Sequence, residues 1–406
     1  MSALVSGNVW LNPFLGALQA AQVELGSVAH ALGIAGDSHG QPAWPWPKRL
    51  AVEVLLIDAG VARQLALALA ATGGALLLAV AGLVWRGRRI ALFAAAALAA
   101  WFAPWPDTSL WLTDAVPTSF QTTPFSVETI ALGAAHYARE CAACHGDTGR
   151  GDGPRAGTLV HWPPTVVGPL LGHRLDGELF WRVLHGMHTR DGAQTMPGFE
   201  GRLSDAQTWA ILDYLKVLAA GGGAQDGEGW PVPVALPALD VRCGDAPAVP
   251  LASWRAGQRV RAVAVDGRAP PLEDPRWQTL LLFRDGAGNA PSEAARWAAN
   301  GDASCVAVSP GAWTAFAGIA GVNAQAFAGS QLIADRNGWL RAEAKPGDPA
   351  WANAALLCTA AGAGGERGER GGRGGRVSRG RSDPLTSLLL RIDAEPVRYV
   401  KGGYVH

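Results

Sequence analysis

Sulfur is scarce in this chain. Five cysteines and three methionines are spread over 406 residues, which excludes the cysteine-dense framework of a small secreted scaffold and limits any sulfur-ligated centre to a few named positions. Net charge is lacking too. Lys+Arg and Asp+Glu balance at 34 each, so no global field points toward nucleic acid and charge arguments have to be local. Between Gln64 and Arg86 charge is missing altogether. The run "LALALAATGGALLLAVAGLVW" extends for about 20 positions, the length a helix needs to cross a hydrocarbon core of roughly 30 Å.

After "RGRR" at Arg86–Arg89, the stretch "IALFAAAALAAWFAPW" stays apolar to Trp105. A transmembrane helical hairpin over 64–105 is the expectation; the competing reading is a pair of buried core helices, which seldom stay uncharged for so long. The clustered arginines belong on the cytoplasmic side, which sends the chain after Trp105 to the opposite face. Trp101, Trp105 and Trp111 fit an interfacial belt there. Residues 1–63 are an N-terminal segment without a basic n-region, in which 10–36 reads either as a third span or, given Glu24 and His30, as an interfacial helix. The length also exceeds one ordinary domain and predicts two or three.

What is present is concentrated at 141–154, "CAACHGDTGRGDGP". C-x-x-C-H is the attachment pattern of a c-type haem: Cys141 and Cys144 add to the two vinyl groups of one porphyrin, and His145 reaches the iron from the same face. A thioredoxin-type C-x-x-C needs a strand before it and a helix after it. Here "VETIALGAAHYARE" is helical before the motif, with Ile130, Gly133, Ala134 and Tyr137 on one face, and a glycine-rich loop follows. Zinc needs four ligands and is poorly served by two cysteines and one histidine.

An electron-transfer haem takes a second axial ligand, and methionine is one that raises the potential. Met196 lies in "GAQTMPGFEGRLSD", a loop ending at Ser204, whose S-x-x-Q with Gln207 is a capping box for the helix "DAQTWAILDYLKVLA". This arrangement resembles a class I cytochrome c over 125–220. The resemblance implies an all-α cytochrome domain, one covalent haem c, Met196 as distal ligand, and a carbonyl of Pro163 or Pro164 accepting from His145. It also implies haem attachment outside the cytoplasm, in agreement with the side argued from Arg86–Arg89. Met187 in "LHGMH", on an expected helix, is the alternative ligand; His161, His173, His185 and His188 are further candidates.

Segments 106–124 and 221–231 read as linkers, the second flexible and glycine-rich. From 232 to 358, apolar runs at 259–267, 279–285, 304–310 and 330–344 read as strands, with helical "PSEAARWAAN" and "GAWTAFAGIAG" between them and a hairpin at "LIADRNGWLRA". This order resembles α/β thioredoxin-like domains of the peroxiredoxin and copper-chaperone branches, but the cysteines and proline those families carry are missing at the matching positions, so their thiol chemistry is not implied. Cys243, Cys305 and Cys358 form either a thiol or copper site, or a structural disulfide plus an odd thiol. The tail 359–406 is Gly/Arg-rich and expected to be disordered, with re-pairing of 384–406 as a short strand the alternative for its end.

The expectation is therefore a multidomain protein: a membrane-anchored single-haem cytochrome of the bacterial inner membrane, its cytochrome and C-terminal domains periplasmic. Its partners would be membrane or periplasmic redox proteins and the lipid bilayer, with neither nucleic acid nor a small-molecule substrate. Two alternatives remain. One is a copper-handling or redox-assembly protein, whose hairpin resembles the final helices of membrane copper-resistance proteins; the other is a haem sensor or catalytic haem with an open sixth position.

Overall fold

The computed structural model describes residues 10–121, 123, 125–168, 172, 174–189, 191–226, 230, 233–265, 274–284, 305–345, 384–395, 397–400 and 403–405. The chain divides into two compact units. One comprises Met1–Gln121, His173–Glu178 and Val400–Val405; the other comprises Thr122–Gly172 and Leu179–Tyr399.

In the first unit, helices α1 (Leu11–Ala31), α2 (Val52–Ile57) and the start of α3 (Ala59–Val84) bury Leu11, Leu15, Val52, Leu55, Ala62 and Leu65 in one core. Asp58 caps α3, its carboxylate accepting from the Gly60 and Val61 N–H groups, so the helix begins six residues before the apolar run. At 26 residues α3 spans about 39 Å, enough to cross a bilayer. Among the described residues it is the one helix long and apolar enough to do so. The second arm, α4 (Arg89–Trp101), has 13 residues and spans about 20 Å, shorter than the expected full span. Phe93 packs against Gly82 where the two arms meet. Beyond that contact the surface is apolar, with Leu77 72% and Trp101 83% exposed. After the short β1–β2 pair (Asp37–Ser38 and Gln41–Pro42), β3 (Lys48–Leu50) pairs antiparallel with β4 (Leu112–Asp114), a strand within the segment expected as a linker at 106–124. Beside it Arg49 is fully buried between Glu53 and Glu178, each with an oxygen 2.7 Å from Nη2.

The second unit has a helical part and a sheet. Helix α5 (Val127–Glu140) opens with a Ser126–Thr129 capping box and crosses α8 (Asp205–Asp226). Gly133 permits the crossing, since a Cβ there would lie 1.9 Å from the Ala210 carbonyl oxygen. The short α6 (Ala142–His145) follows α5, and α7 (Asp176–His185) completes the helical part. The sheet has seven strands in the order β13-β12-β9-β10-β11-β7-β8: Leu340–Ala344, Gln331–Ala334, Val260–Ala264, Gln278–Leu282, Cys305–Ala307, Asp240–Cys243 and Val249–Pro250. β9, β10 and β11 run parallel. The β12–β13 hairpin and the antiparallel β7 close the two sides. The strands at 240–243 and 249–250 were not foreseen, and "PSEAARWAAN" lies outside the described residues.

The expected flexible linker from 221 is helix as far as Asp226. Glycine's low helix propensity is overridden by packing: Gly221 meets Gly318 and Gly321 backbone to backbone, each approach too close for a Cβ, and Gln225 donates to the Gly321 carbonyl. Helix α9 (Leu251–Arg255) follows β8, and helix α10 (Ala312–Ile319) joins α5 and α8 to the sheet. Val127, Ile130, Val217 and Ala220 share a single core with Leu280, Phe316 and Leu332.

The tail is not wholly irregular either. Helix α11 (Pro384–Ala394) lays Leu388, Leu389 and Ile392 against Trp277, Ile333 and Ala342 on the other sheet face, and Asp393 pairs with Arg259. Short strands at Arg398–Val400 and Gly403–Val405 follow, while the Gly/Arg tract itself lies outside the described residues.

Cys243 and Cys305, opposite each other on β7 and β11, form a disulfide. Of the two arrangements the sequence leaves open, this is the structural disulfide, in which neither sulfur is a thiolate; Cys358 lies outside the described residues. The bond closes a loop of 62 residues, for which chain entropy gives about 4 kcal/mol of stabilisation. The Cys243→Ser, Cys305→Ser double variant should therefore lose roughly that much in denaturant unfolding. A loss below about 1 kcal/mol would mean that the unfolded chain is already held near this geometry.

Candidate functional site

The C-x-x-C-H segment forms one helical turn at the end of α5. The Cys144 and His145 N–H groups donate to the Cys141 carbonyl at 3.1 and 2.9 Å, which brings both thiols and the imidazole together. Gly146, at φ 78°, ends the turn, and the glycine-rich loop folds back beneath it. The Gly151 N–H donates to the His145 carbonyl and the Gly153 N–H to that of Cys144. Gly151 lies where a Cβ would come within 2.4 Å of the Pro163 carbonyl oxygen, so this return requires glycine.

His145 Nδ1–H donates to the Pro164 carbonyl at 3.1 Å. Of the two prolines left open by the sequence, Pro164 is the one used. The bond fixes the tautomer, leaving the Nε2 lone pair available for a metal. Burial lowers the His145 pKa, against the opposing effect of the Pro164 bond, and favours the neutral ligating form. Burial first, then Glu140 and Cys144, pushes the Cys141 thiol up to about 12. It is thus a protonated thiol at neutral pH, unlike the acidic thiols of redox-active C-x-x-C pairs.

Facing this turn is the Met196 loop. Gly186, at φ 75°, ends α7 and lies against Met196–Gly198, closer than any Cβ would allow. Met187 is consequently in a strand, β5 (Met187–His188), opposite Met196 in β6 (Gln194–Met196), and not on the expected helix. The Phe199 and Glu200 N–H groups donate to the Leu184 carbonyl at 2.8 and 2.9 Å, pinning the loop's far end to α7. The expected capping box is present: the Ser204 N–H donates to Gln207 Oε1, and the Gln207 N–H to Ser204 Oγ. Met196 and Cys141 pack on one cluster that includes Phe180, Leu184, Leu203 and Ile211.

Between the turn and the loop lies a crevice of about 300 Å³ lined by Cys141, Cys144, His145 and Met196. Met187 and His161 line it too, whereas His185 and His188 do not. His185 stacks on Trp181 at 3.7 Å and donates from Nδ1 to that residue's carbonyl. His173 lies outside the described residues. Sequence reasoning missed the arginines of the crevice wall, Arg139, Arg155 and Arg202; their only sequence signal is proximity to the C-x-x-C-H motif for the first two and to Met196 for the third. Two thiols, one imidazole with Nδ1 already tied and a thioether bordering one apolar slot form the donor set of a haem c.

Residues 128–215 match the family of cytochrome c oxidase, cbb3-type, subunit III. The chain carries a cytochrome c domain. The match spans the C-x-x-C-H turn, the Met196 loop and the first half of α8, and indicates a covalently bound haem and electron transfer. One solved chain, from the Kuenenia stuttgartiensis reducing HAO-like protein complex, is 23% identical with a TM-score of 0.22. That similarity covers 32% of this chain and 60% of that one, so this protein spans less than two thirds of its length. No curated protein matches the chain.

Proposed function

We propose that the protein is a membrane-anchored c-type cytochrome carrying one haem and passing single electrons at the outer face of a bacterial cytoplasmic membrane. The carrying observation is His145: its Nδ1 is committed to Pro164 while its turn presents both cysteines to the crevice that Met196 borders. Cys141 and Cys144 would hold the ring as thioethers, with His145 and Met196 as axial ligands. The bound haem supplies a one-electron iron couple. The chain's part is to fix the imidazole through Pro164, to keep water from the Met196 side with the cluster around Phe180, and to leave the arginine-bearing wall open for a partner. One C-x-x-C-H in the sequence gives one haem per chain.

The apolar helix Ala59–Val84 serves as the anchor, and Arg86, Arg88 and Arg89 favour a cytoplasmic connection after it. The sheet, with the β12–β13 hairpin of a thioredoxin-like layer but its cysteines paired, serves as a scaffold; the disulfide argues against the copper-handling alternative.

Full-length protein produced together with a c-type haem maturation system tests this. Haem should stay on the polypeptide in denaturing gels, at one per chain by pyridine haemochrome, and remain in the membrane pellet after an alkaline wash. The Cys141→Ala, Cys144→Ala variant should lose covalent haem. Release by the wash would remove the anchor, and a high-spin ferric spectrum would favour the open-site alternative.

A further inference from the structure

Glu140 stands immediately before Cys141, and only 14% of its side chain is exposed. Two arginines hold it. Arg139 Nε donates to Oε1 at 2.9 Å, and Arg202 Nη2 donates to Oε2 at 2.5 Å. The Arg139 bond first, then that of Arg202, keeps this carboxyl below the usual range. The two contacts differ in what they connect. Arg139 is the preceding residue, so its bond bridges nothing. Arg202 follows Met196 at the end of the same loop, 62 residues along the chain from Glu140. Its guanidinium also lies over the Phe199 ring, 4.9 Å from the centroid. Phe199 is 4% exposed and tied to α7 through its N–H. Glu140, Met196, Phe199 and Arg202 all line the haem crevice.

We infer that Arg202 is a positioning residue: its bond to Glu140 latches the Met196 loop onto the Cys141 segment and sets how often Met196 leaves the iron. The inference rests on Met196 as axial ligand. An isolated exposed ion pair is worth little, because two long side chains lose freedom for a screened attraction. Here the carboxylate side chain is mostly covered and gripped from both sides, and the guanidinium, itself exposed, is already oriented by an aromatic face, so less freedom remains to be lost. The crevice opens only if the Met196 loop swings away from the motif. The Glu140–Arg202 bond is a side-chain tie between those two segments, so breaking it raises the open population.

Imidazole is the probe. It binds ferric iron only when Met196 has left, so its apparent affinity scales with the open fraction. Titrations of full-length ferric protein, followed by loss of the far-red methionine–iron charge-transfer band, compare four single variants. Arg202→Gln and Glu140→Gln are expected to bind imidazole on the order of tenfold more tightly than the unmodified protein. Their double variant should add little beyond either alone, because both remove one bond. Arg202→Lys should recover part of the effect. Arg139→Gln removes the same charge from the same carboxylate but cuts no bridge, and should stay within about twofold. Equal effects of Arg139→Gln and Arg202→Gln would show a field effect and overturn the latch. Unchanged affinity in Arg202→Gln, with the band intact, would overturn it while leaving Met196 on the iron. Absence of the band in the unmodified protein would remove Met196 as ligand, and the latch's role with it.

Discussion

Alanine at position 196 is expected to abolish the methionine–iron charge-transfer band and lower the midpoint potential by more than about 0.1 V, within the roughly 0.8 V over which axial ligands move haem potentials. A thioether favours reduced iron, so losing it favours the oxidised form. Met187 is a genuine competitor because it lies opposite Met196 in the β5–β6 pair and borders the same crevice. Met187→Ala is the matched control and should keep both band and potential. If the two variants exchange behaviours, Met187 is the ligand. If both variants keep a low-spin spectrum without the methionine band at an unchanged potential, the ligand is a nitrogen, and among the described residues His161 is the histidine besides His145 that lines the crevice. Met196 also packs on the cluster around Phe180, so its truncation costs about 2–4 kcal/mol in packing. Both spectra should therefore be taken well below the unfolding temperature.

The second large effect is steric. A valine at position 133 would drive its Cβ toward the Ala210 carbonyl oxygen, 1.9 Å away, and toward Tyr214 Cβ at 2.9 Å. Neither neighbour can yield without moving α5 or α8, the two helices that frame the cytochrome domain. Gly133→Val should cost at least about 3 kcal/mol, the upper end of overpacking penalties, and sharply reduce the yield of haem-bearing protein. Gly157→Val is the control, since a Cβ there meets nothing within 4 Å. Thermal unfolding of the two variants side by side measures the difference; similar midpoints would mean that the helix crossing relaxes at little cost.

Local chemistry was readable where the signal was local. The C-x-x-C-H turn, the Ser204–Gln207 box and the order helix, motif, loop, helix all follow from short-range spacing. Signals from distant partners were not readable. Gly221–Gly223 look like a linker because glycine disfavours helix; only the approach of Gly318 and Gly321 makes them helical. Helix α11 follows a Gly/Arg tract that masks it, and its reason for folding is the apolar sheet face offered by Trp277 and Ile333. Met187 looked helical until Gly186 ended α7. The choice between Pro163 and Pro164 depended on the return of a loop through Gly151, which no pattern in the sequence encodes.

The continuous core joining α5 and α8 to the sheet leaves no swinging arm between the cytochrome domain and the sheet. A cytochrome on a glycine tether behaves as a swinging arm: it diffuses between donor and acceptor, and linker length sets the frequency of productive encounters. Here Gly221, Gly318 and Gly321 interlock where such a tether would have to begin, so haem and sheet tumble as one body. A redox partner that gripped the sheet would thereby fix its tunnelling distance to the iron, and turnover on that side would depend on docking and release.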